Sequence, residues 1–283
     1  MAITTLSQAV DGMLPPIEVV KQPPTISTLD MTWNTSWYNT GYPTPASTSL
    51  SGTLAGTALT SATGQMPFTN PAAGNTYLAA VSRTSNSPPT SLASQGSFFI
   101  IDRLWESSGT AAVLTPQTVN SVTWPTRDIN GSSLGEGVFV ALEIYNPSTL
   151  GGTLPTASIS YTNSAGVSGR AGVMMANDFV TTVRHFAIYP FSLDSGDTGV
   201  QSIQTLTYLT DANSRLRLIA FRPICIVPPF NQKGARTAGD IITLAAPRLF
   251  DNSVLQTLFL FAGYSFGFQG GDSGATTIQY TQG

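Results

Sequence analysis

The stretch Glu136-Gly137-Val138-Phe139-Val140-Ala141-Leu142-Glu143-Ile144-Tyr145 decides the fold. Val138, Val140, Leu142 and Ile144 recur at every second position, the period of a strand, while Phe139, Glu143 and Tyr145 fall on the opposite face. The same period appears where Ala157, Ile159 and Tyr161 alternate with Ser158 and Ser160, a strand with one wet face. Further strands are expected over 76–83, 97–105, 117–124, 181–189, 200–209, 215–227, 254–262 and 275–280. Turn-forming clusters separate them, among them Asn130-Gly131-Ser132, Gly151-Gly152 and Asp194-Ser195-Gly196-Asp197-Thr198-Gly199. Short strands at near-regular spacing predict an all-β chain, an antiparallel β-sandwich or jelly-roll-like domain over residues 76–283. One short helix is expected over 5–13, and a second over 237–246 would be stopped by Pro247. There is no internal repeat of fixed period.

Residues 1–75 read differently. The first 90 residues hold ten of the 19 prolines and five charges, Asp11, Glu18, Lys21, Asp30 and Arg83. The pairs at 15–16, 23–24 and 88–89 favour extended backbone, because proline fixes φ and removes a donor. Residues 1–75 are therefore expected to form an extended N-terminal arm or loosely structured layer. A free linker has no use for Trp33, Trp37, Tyr38 and Tyr42, which makes these four candidate partner contacts.

Composition narrows the function. Charged residues make up 10% of the 283, against about 25% in ordinary soluble domains. Ser (30) and Thr (38) supply much of the remaining polarity. With only Lys21 and Lys233 as lysines, a helical bundle or coiled coil is excluded. The apolar runs fall far short of the roughly 18 residues a membrane helix needs. A net charge of −3 lacks the electrostatic footprint of a nucleic-acid binder. The N-terminus has no basic stretch followed by an apolar one, so no signal peptide is expected.

Catalytic chemistry finds little material. Gly271-Asp272-Ser273-Gly274 looks like the surroundings of a serine nucleophile, but a triad needs a base, and the single histidine, His185, lies mid-strand. Cys225 sits in the apolar run 223–227, the setting of a buried inert thiol. One His and one Cys cannot build a zinc site within one chain. Asp194 and Asp197 could give oxygens to calcium, although a calcium site gathers six to eight and nothing nearby supplies the rest. Glu106, Glu136 and Glu143 are the only glutamates after Glu18; a glycosidase pair or a sugar-contacting face around Glu143 competes with a salt-bridged Glu on a half-exposed sheet. Arg215, Arg217 and Arg222 cluster on one predicted strand and join the candidate partner contacts, arginine being suited to interface ion pairs. Asp102, Arg103, Arg127 and Asp128 look like further pairing partners. No catalytic residue, cofactor or metal is expected.

Several strings carry a resemblance. They are Asp102-Arg103-Leu104-Trp105, the run Ser121-Val122-Thr123-Trp124-Pro125-Thr126-Arg127-Asp128, Gly135-Glu136-Gly137-Val138 and Leu142-Glu143. Then follow 160–166 with Gly169-Arg170, 196–204, and Pro247-Arg248-Leu249-Phe250-Asp251-Asn252. With the opening residues they resemble, in the same order and over nearly the whole chain, a family of tailed-bacteriophage virion structural proteins. The family pattern often has Arg where this chain has Gln201. The resemblance implies a non-enzymatic virion component. Added to the polar surface and the arm, it leads to the expectation of a capsid decoration, or cement, protein. Such a protein would sit on the capsid exterior after synthesis in the bacterial cytoplasm, contacting the major capsid protein and copies of itself, as a homotrimer, without nucleic acid or membrane. The other expectation is a tail, baseplate or fibre component that contacts host glycan.

Overall fold

A computed structural model describes residues 3–21, 33–47, 54, 56–85, 96–110, 113–119, 121–147, 156–174, 186–210, 214–230, 236–261 and 274–283. Its first element is a short helix, α1 (Leu6–Asp11), held by a capping box in which Thr5 and Gln8 satisfy each other's backbone donors. The strands of the first half are β1 (Ile17–Lys21), β2 (Trp33–Thr35), β3 (Gly41–Tyr42), β4 (Gly56–Ala58), β5 (Thr76–Ser85), β6 (Gly96–Ser107), β7 (Gln117–Thr118) and β8 (Phe139–Pro147). The second half adds β9 (Ala157–Asn163), β10 (Arg170–Val173), β11 (Ala187–Pro190), β12 (Val200–Tyr208), β13 (Ser214–Phe230), β14 (Arg236–Asp240), β15 (Arg248–Leu249), β16 (Leu255–Phe261) and β17 (Gly274–Gln282). Every pairing between them is antiparallel, so the chain is all-β as its periodicity implies.

Three sheets form. One runs β14–β5–β17–β1–β3 with β15 also on β5, and a second runs β10–β9–β12–β7. The third runs β13–β8–β11–β2–β16–β6–β4, and an extra pairing of β13 with β6 closes it. Six of its seven strands thus make a ring, while β4 continues along β6 beside Trp105 and Ser107. Closure removes the exposed sheet edges that invite aggregation. It depends on β13, which pairs β8 from Ser214 to Phe221 and β6 from Ile219 to Phe230. Register shifts between Ala220 and Phe221 and between Pro223 and Cys225 bend the strand from one partner to the other. Pro223, which cannot donate to a ladder, sits at such a shift.

The barrel is the middle of three layers. Val138, Val140, Leu142 and Ile144 point outward from it and pack with Ala157, Ile159, Tyr161 and Leu206 of the four-stranded sheet. Phe98, Ile100, Leu255 and Phe259 cover its other flank against Leu78, Val81, Ile278 and Tyr280. Each large apolar side chain buried in this way contributes about 1.5–3 kcal/mol.

Several expectations are corrected here. The stretch 1–75 is not a separate arm over its described residues. β1 is hydrogen-bonded to β17 and β3, β2 is a stave of the barrel, and Trp37 and Tyr38 are buried with Leu59 and Val254 in a core cluster. Proline pairs do favour extended backbone, but extended backbone also supplies sheet strands, and here β1 pairs β17 and β3 while β2 pairs β11 and β16. Glu143 does share a face with Phe139 and Tyr145, yet that face is the barrel interior rather than a half-exposed sheet. The expected helix over 237–246 is instead strand β14 and a turn. Asp240 Oδ1 accepts from the backbone of Ile242 and Thr243, and Ala245 and Ala246 take positive φ of 54° and 42°, which ends any helix. The strand expected over 117–124 stops at Thr118.

Candidate functional site

The barrel interior has two halves. A six-stranded ring is narrower than the eight-stranded barrels whose interiors side chains just fill, so its axis holds side chains rather than a channel. Phe99, Ile101, Ile188, Ile219, Phe221 and Leu258 fill one half. Charged and polar groups fill the other. Glu143 is fully buried and its carboxylate takes a bidentate pair from Arg103, with Nη1 at 2.9 Å and Nη2 at 2.7 Å. Arg217 Nε donates to the same carboxylate at 2.7 Å, and the Tyr38 hydroxyl donates to it at 2.7 Å. Glu106 completes the group, lying 2.9 Å from Arg103 Nε and 3.0 Å from Arg217 Nη1. Two arginines and two glutamates make a neutral set. The Arg103 guanidinium lies over Trp37, and that of Arg217 over Tyr38 and Tyr145. Burial alone would lower the Arg103 pKa, but attraction to Glu143 and Glu106 more than offsets it and the net direction is upward.

A second set lines the outside of the barrel wall. Asp102 accepts from Arg127 Nε at 3.0 Å, from Ser253 Oγ at 3.0 Å and from the Val254 backbone at 2.9 Å. Arg127 also donates to the carbonyls of Leu59 and Arg103, tying three segments together. The Asp128 carboxylate accepts from the backbone of Asn130, Ser132, Gly135 and Glu136 and from the Ser132 hydroxyl, and so fixes that loop.

A third cluster lies near one barrel end. Asp197 accepts from Tyr161 Oη at 2.5 Å, Asn163 Nδ2 at 2.7 Å and Arg170 Nε at 2.9 Å. The bonds from Arg170 and Tyr161 hold its carboxyl down at about 2, while burial and the bond to Asp197 push Tyr161 up to about 12. Arg170 also pairs with Asp194, so both carboxylates considered for calcium face a guanidinium. Among the described residues no group of three or more His, Cys, Asp or Glu could hold a metal ion. Burial pushes the Cys225 thiol up to about 12, away from the thiolate that nucleophilic chemistry needs. His185 and Gly271-Asp272-Ser273 lie outside the described residues.

The apolar half of the barrel ends in an open mouth. A cavity of about 450 Å³ is lined by Trp33, Phe99, Phe139, Phe191, Phe221 and Ile226, with Asp197 at its margin. Trp33 stacks on Phe99 with centroids 4.6 Å apart.

The seven candidate contacts therefore separate. Trp33 lines the mouth and Tyr42 is 55% exposed on the short edge strand β3. Trp37, Tyr38, Arg217 and Arg222 are buried inside the chain and serve its own packing. Arg215 pairs through its backbone with Asn146, and its side chain is outside the described residues. Sequence reasoning missed the Arg103–Glu143–Arg217 set as a unit. The only signal for it was inward parity, since Arg103, Glu143 and Arg217 each share a strand face with apolar residues. No helix among the described residues is long and apolar enough to cross a membrane.

No family model matches the chain, and no curated protein matches it. Among solved structures it is similar to the VP2 subviral particle of infectious bursal disease virus, at 9% identity and a TM-score of 0.20, over 96% of this chain and 81% of that one. A structure of the Gt strain of the same virus gives 10% identity and a TM-score of 0.18, over 95% and 81%. Likeness at this level adds no weight to a functional reading, which rests on the chain's own residues and geometry.

Proposed function

We propose that this chain is a non-enzymatic bacteriophage virion structural protein that decorates the capsid exterior and bridges neighbouring capsomers, in contact with the major capsid protein and with copies of itself. The observation that carries this reading is how the buried charged groups are used. Arg103, Glu106, Glu143 and Arg217 answer one another, as do Asp102 and Arg127, in sets that brace strands rather than face a substrate. A protein that catalyses needs a titratable group with access to a ligand and a pKa near its working pH. A protein that withstands load needs cross-linked strands, and the closed barrel held between two sheets supplies them. The resemblance to tailed-phage virion proteins noted in the sequence supports the same reading, because the strings that carry it include Asp102, Arg103, Arg127, Asp128, Glu143 and Asp197, residues of these sets.

The barrel mouth is the surface this reading assigns to the capsid protein. A concave aromatic-lined face is the kind of apolar surface that marks a contact site. Ile226 stands at its margin, 59% exposed. Ile226→Asp is expected to weaken attachment to emptied capsids at least about tenfold in a co-sedimentation assay, a loss of about 1.4 kcal/mol, with the unfolding midpoint unchanged. Full-strength attachment of this variant would remove the mouth from the interface.

A further inference from the structure

Of the described strands that have a single partner, β14 (Arg236–Asp240) is the longest, at five residues. It pairs only β5, with Thr237 opposite Arg83 and Gly239 opposite Val81. Backbone N–H and C=O groups alternate in direction along a strand, so Thr237 and Gly239 turn one way and Arg236, Ala238 and Asp240 the other. Two observations settle which set faces β5. The Asp240 N–H donates to Thr243 Oγ1 at 2.8 Å and its carbonyl accepts from the Leu244 N–H at 2.9 Å, both off the ladder. Across the sheet, Tyr280 accepts from the Leu14 N–H and Gln282 donates to the Gly12 carbonyl, which turns the even-numbered residues of β17 toward β1 and the odd ones toward β5. Carried through the register, this points Arg83 and Val81 at Thr237 and Gly239. Arg236 and Ala238 therefore present their backbone donors and acceptors outward, on an open edge. Other single-partner strands are closed off: β3 is two residues long and runs into Pro43, which has no donor, and on β10 the Val173 carbonyl is taken by the Ser192 N–H at 2.8 Å.

The side chains on this edge are ordered by the same alternation. Arg236, Ala238 and Asp240 share the exposed face, while Gly239 is buried against Leu244. Arg236 and Asp240 stand four residues apart, roughly 13 Å along a strand, too far to pair within one copy. The Asp240 carboxylate is fixed in place. Its Oδ1 accepts from the backbone of Thr243 at 2.9 Å and of Ile242 at 3.0 Å, bonds that hold its pKa below the ordinary value, and Oδ2 is left for a cation. A second β14 turned end for end supplies that cation. With a twofold axis at Ala238, Arg236 of each copy lies directly opposite Asp240 of the other, at the Cα separation of about 5.5 Å of a hydrogen-bonded pair. An axis at Arg236 or at Asp240 would set like charges opposite one another, which destabilises. Charge complementarity thus selects both the occupant and its register.

We propose that β14 is a self-association edge, at which two copies of this chain join antiparallel about a twofold axis at Ala238 and continue one sheet into the other. The two Ala238 residues exchange a pair of backbone hydrogen bonds, and an Arg236–Asp240 ion pair flanks them on each side. The contact is shorter than the roughly 1,000 Å² of a stable interface, so the dimer is weak, with Kd on the order of 0.1 mM. Its exposed ion pairs make it weaker in high salt. It forms pairs, where the sequence led to the expectation of a homotrimer, and it stands on the strand itself, whether or not the protein decorates a capsid.

Sedimentation equilibrium on the full chain, up to about 1 mM, tests it. The wild type should dimerise reversibly, and less so as salt is raised. Ala238→Pro removes only an outward N–H, so it should melt as the wild type does and yet dimerise at least about tenfold more weakly. Arg236→Asp, which faces the partner's Asp240, should behave in the same way. The proposal is overturned if the wild type stays monomeric, if it assembles in threes, or if either variant associates as strongly as the wild type.

Discussion

At the scale of single residues, Glu143 is the most consequential side chain. It receives Arg103, Arg217 and Tyr38 where no water can replace them. Removing one partner of such a set leaves uncompensated charge in a dry interior and costs about 3–5 kcal/mol. Glu143→Ala should lose that much in urea unfolding, and a loss below about 1 kcal/mol would mean water reaches the two arginines. Asp197 gives a pH signature. Its folded pKa of about 2 lies below the ordinary 3.8, so its bonds stabilise fully above the ordinary value and are lost as pH falls toward 2. Asp197→Asn should flatten the stability curve in that acid window and leave neutral pH dependence alone. Cys225, buried and held as a thiol, should stay unmodified by a thiol reagent until the chain unfolds. Its burial was legible from the apolar run around it. The fate of Glu143 was not, because a charged residue on an alternating strand reads as facing water unless the opposite wall of a barrel is known.

At the scale of elements, most strands of the second half were legible because β-branched and aromatic residues recur with period two between turn clusters. β8, β9, β12 and β17 fall where that pattern puts them. The Ser/Thr/Pro-rich first part hid β2 and β4, since three-residue strands are too short to show a period. Barrel closure was hidden too, because it rests on long-range pairing of β13 with both β8 and β6. The consequence is specific. Deleting residues 1–75 removes β2 from between β11 and β16 and Trp37 from beneath Arg103. The truncated chain should lose its near-UV circular dichroism and its cooperative melt. A truncated chain that melts cooperatively would restore the view of this segment as a detachable arm.

At the scale of the whole molecule, low charge takes on a sharper meaning. Of the 27 charged residues, Lys21, Arg83, Arg103, Arg127, Arg217, Arg222, Asp102, Asp128 and Glu143 are buried. A third of the scarce charge thus lies inside, where Asp102, Arg103, Arg127, Glu143 and Arg217 brace strands. Such a body suits a component that is set in place and loaded, as the position on the outside of a capsid proposed above requires. A cryo-EM reconstruction of the virion tests this most directly. A decoration protein would give density on the head's outer surface, across capsomer boundaries, that fits a six-stranded barrel between two sheets with its aromatic mouth against the capsid protein. Density of this shape confined to the tail, or its absence from the particle, would contradict it.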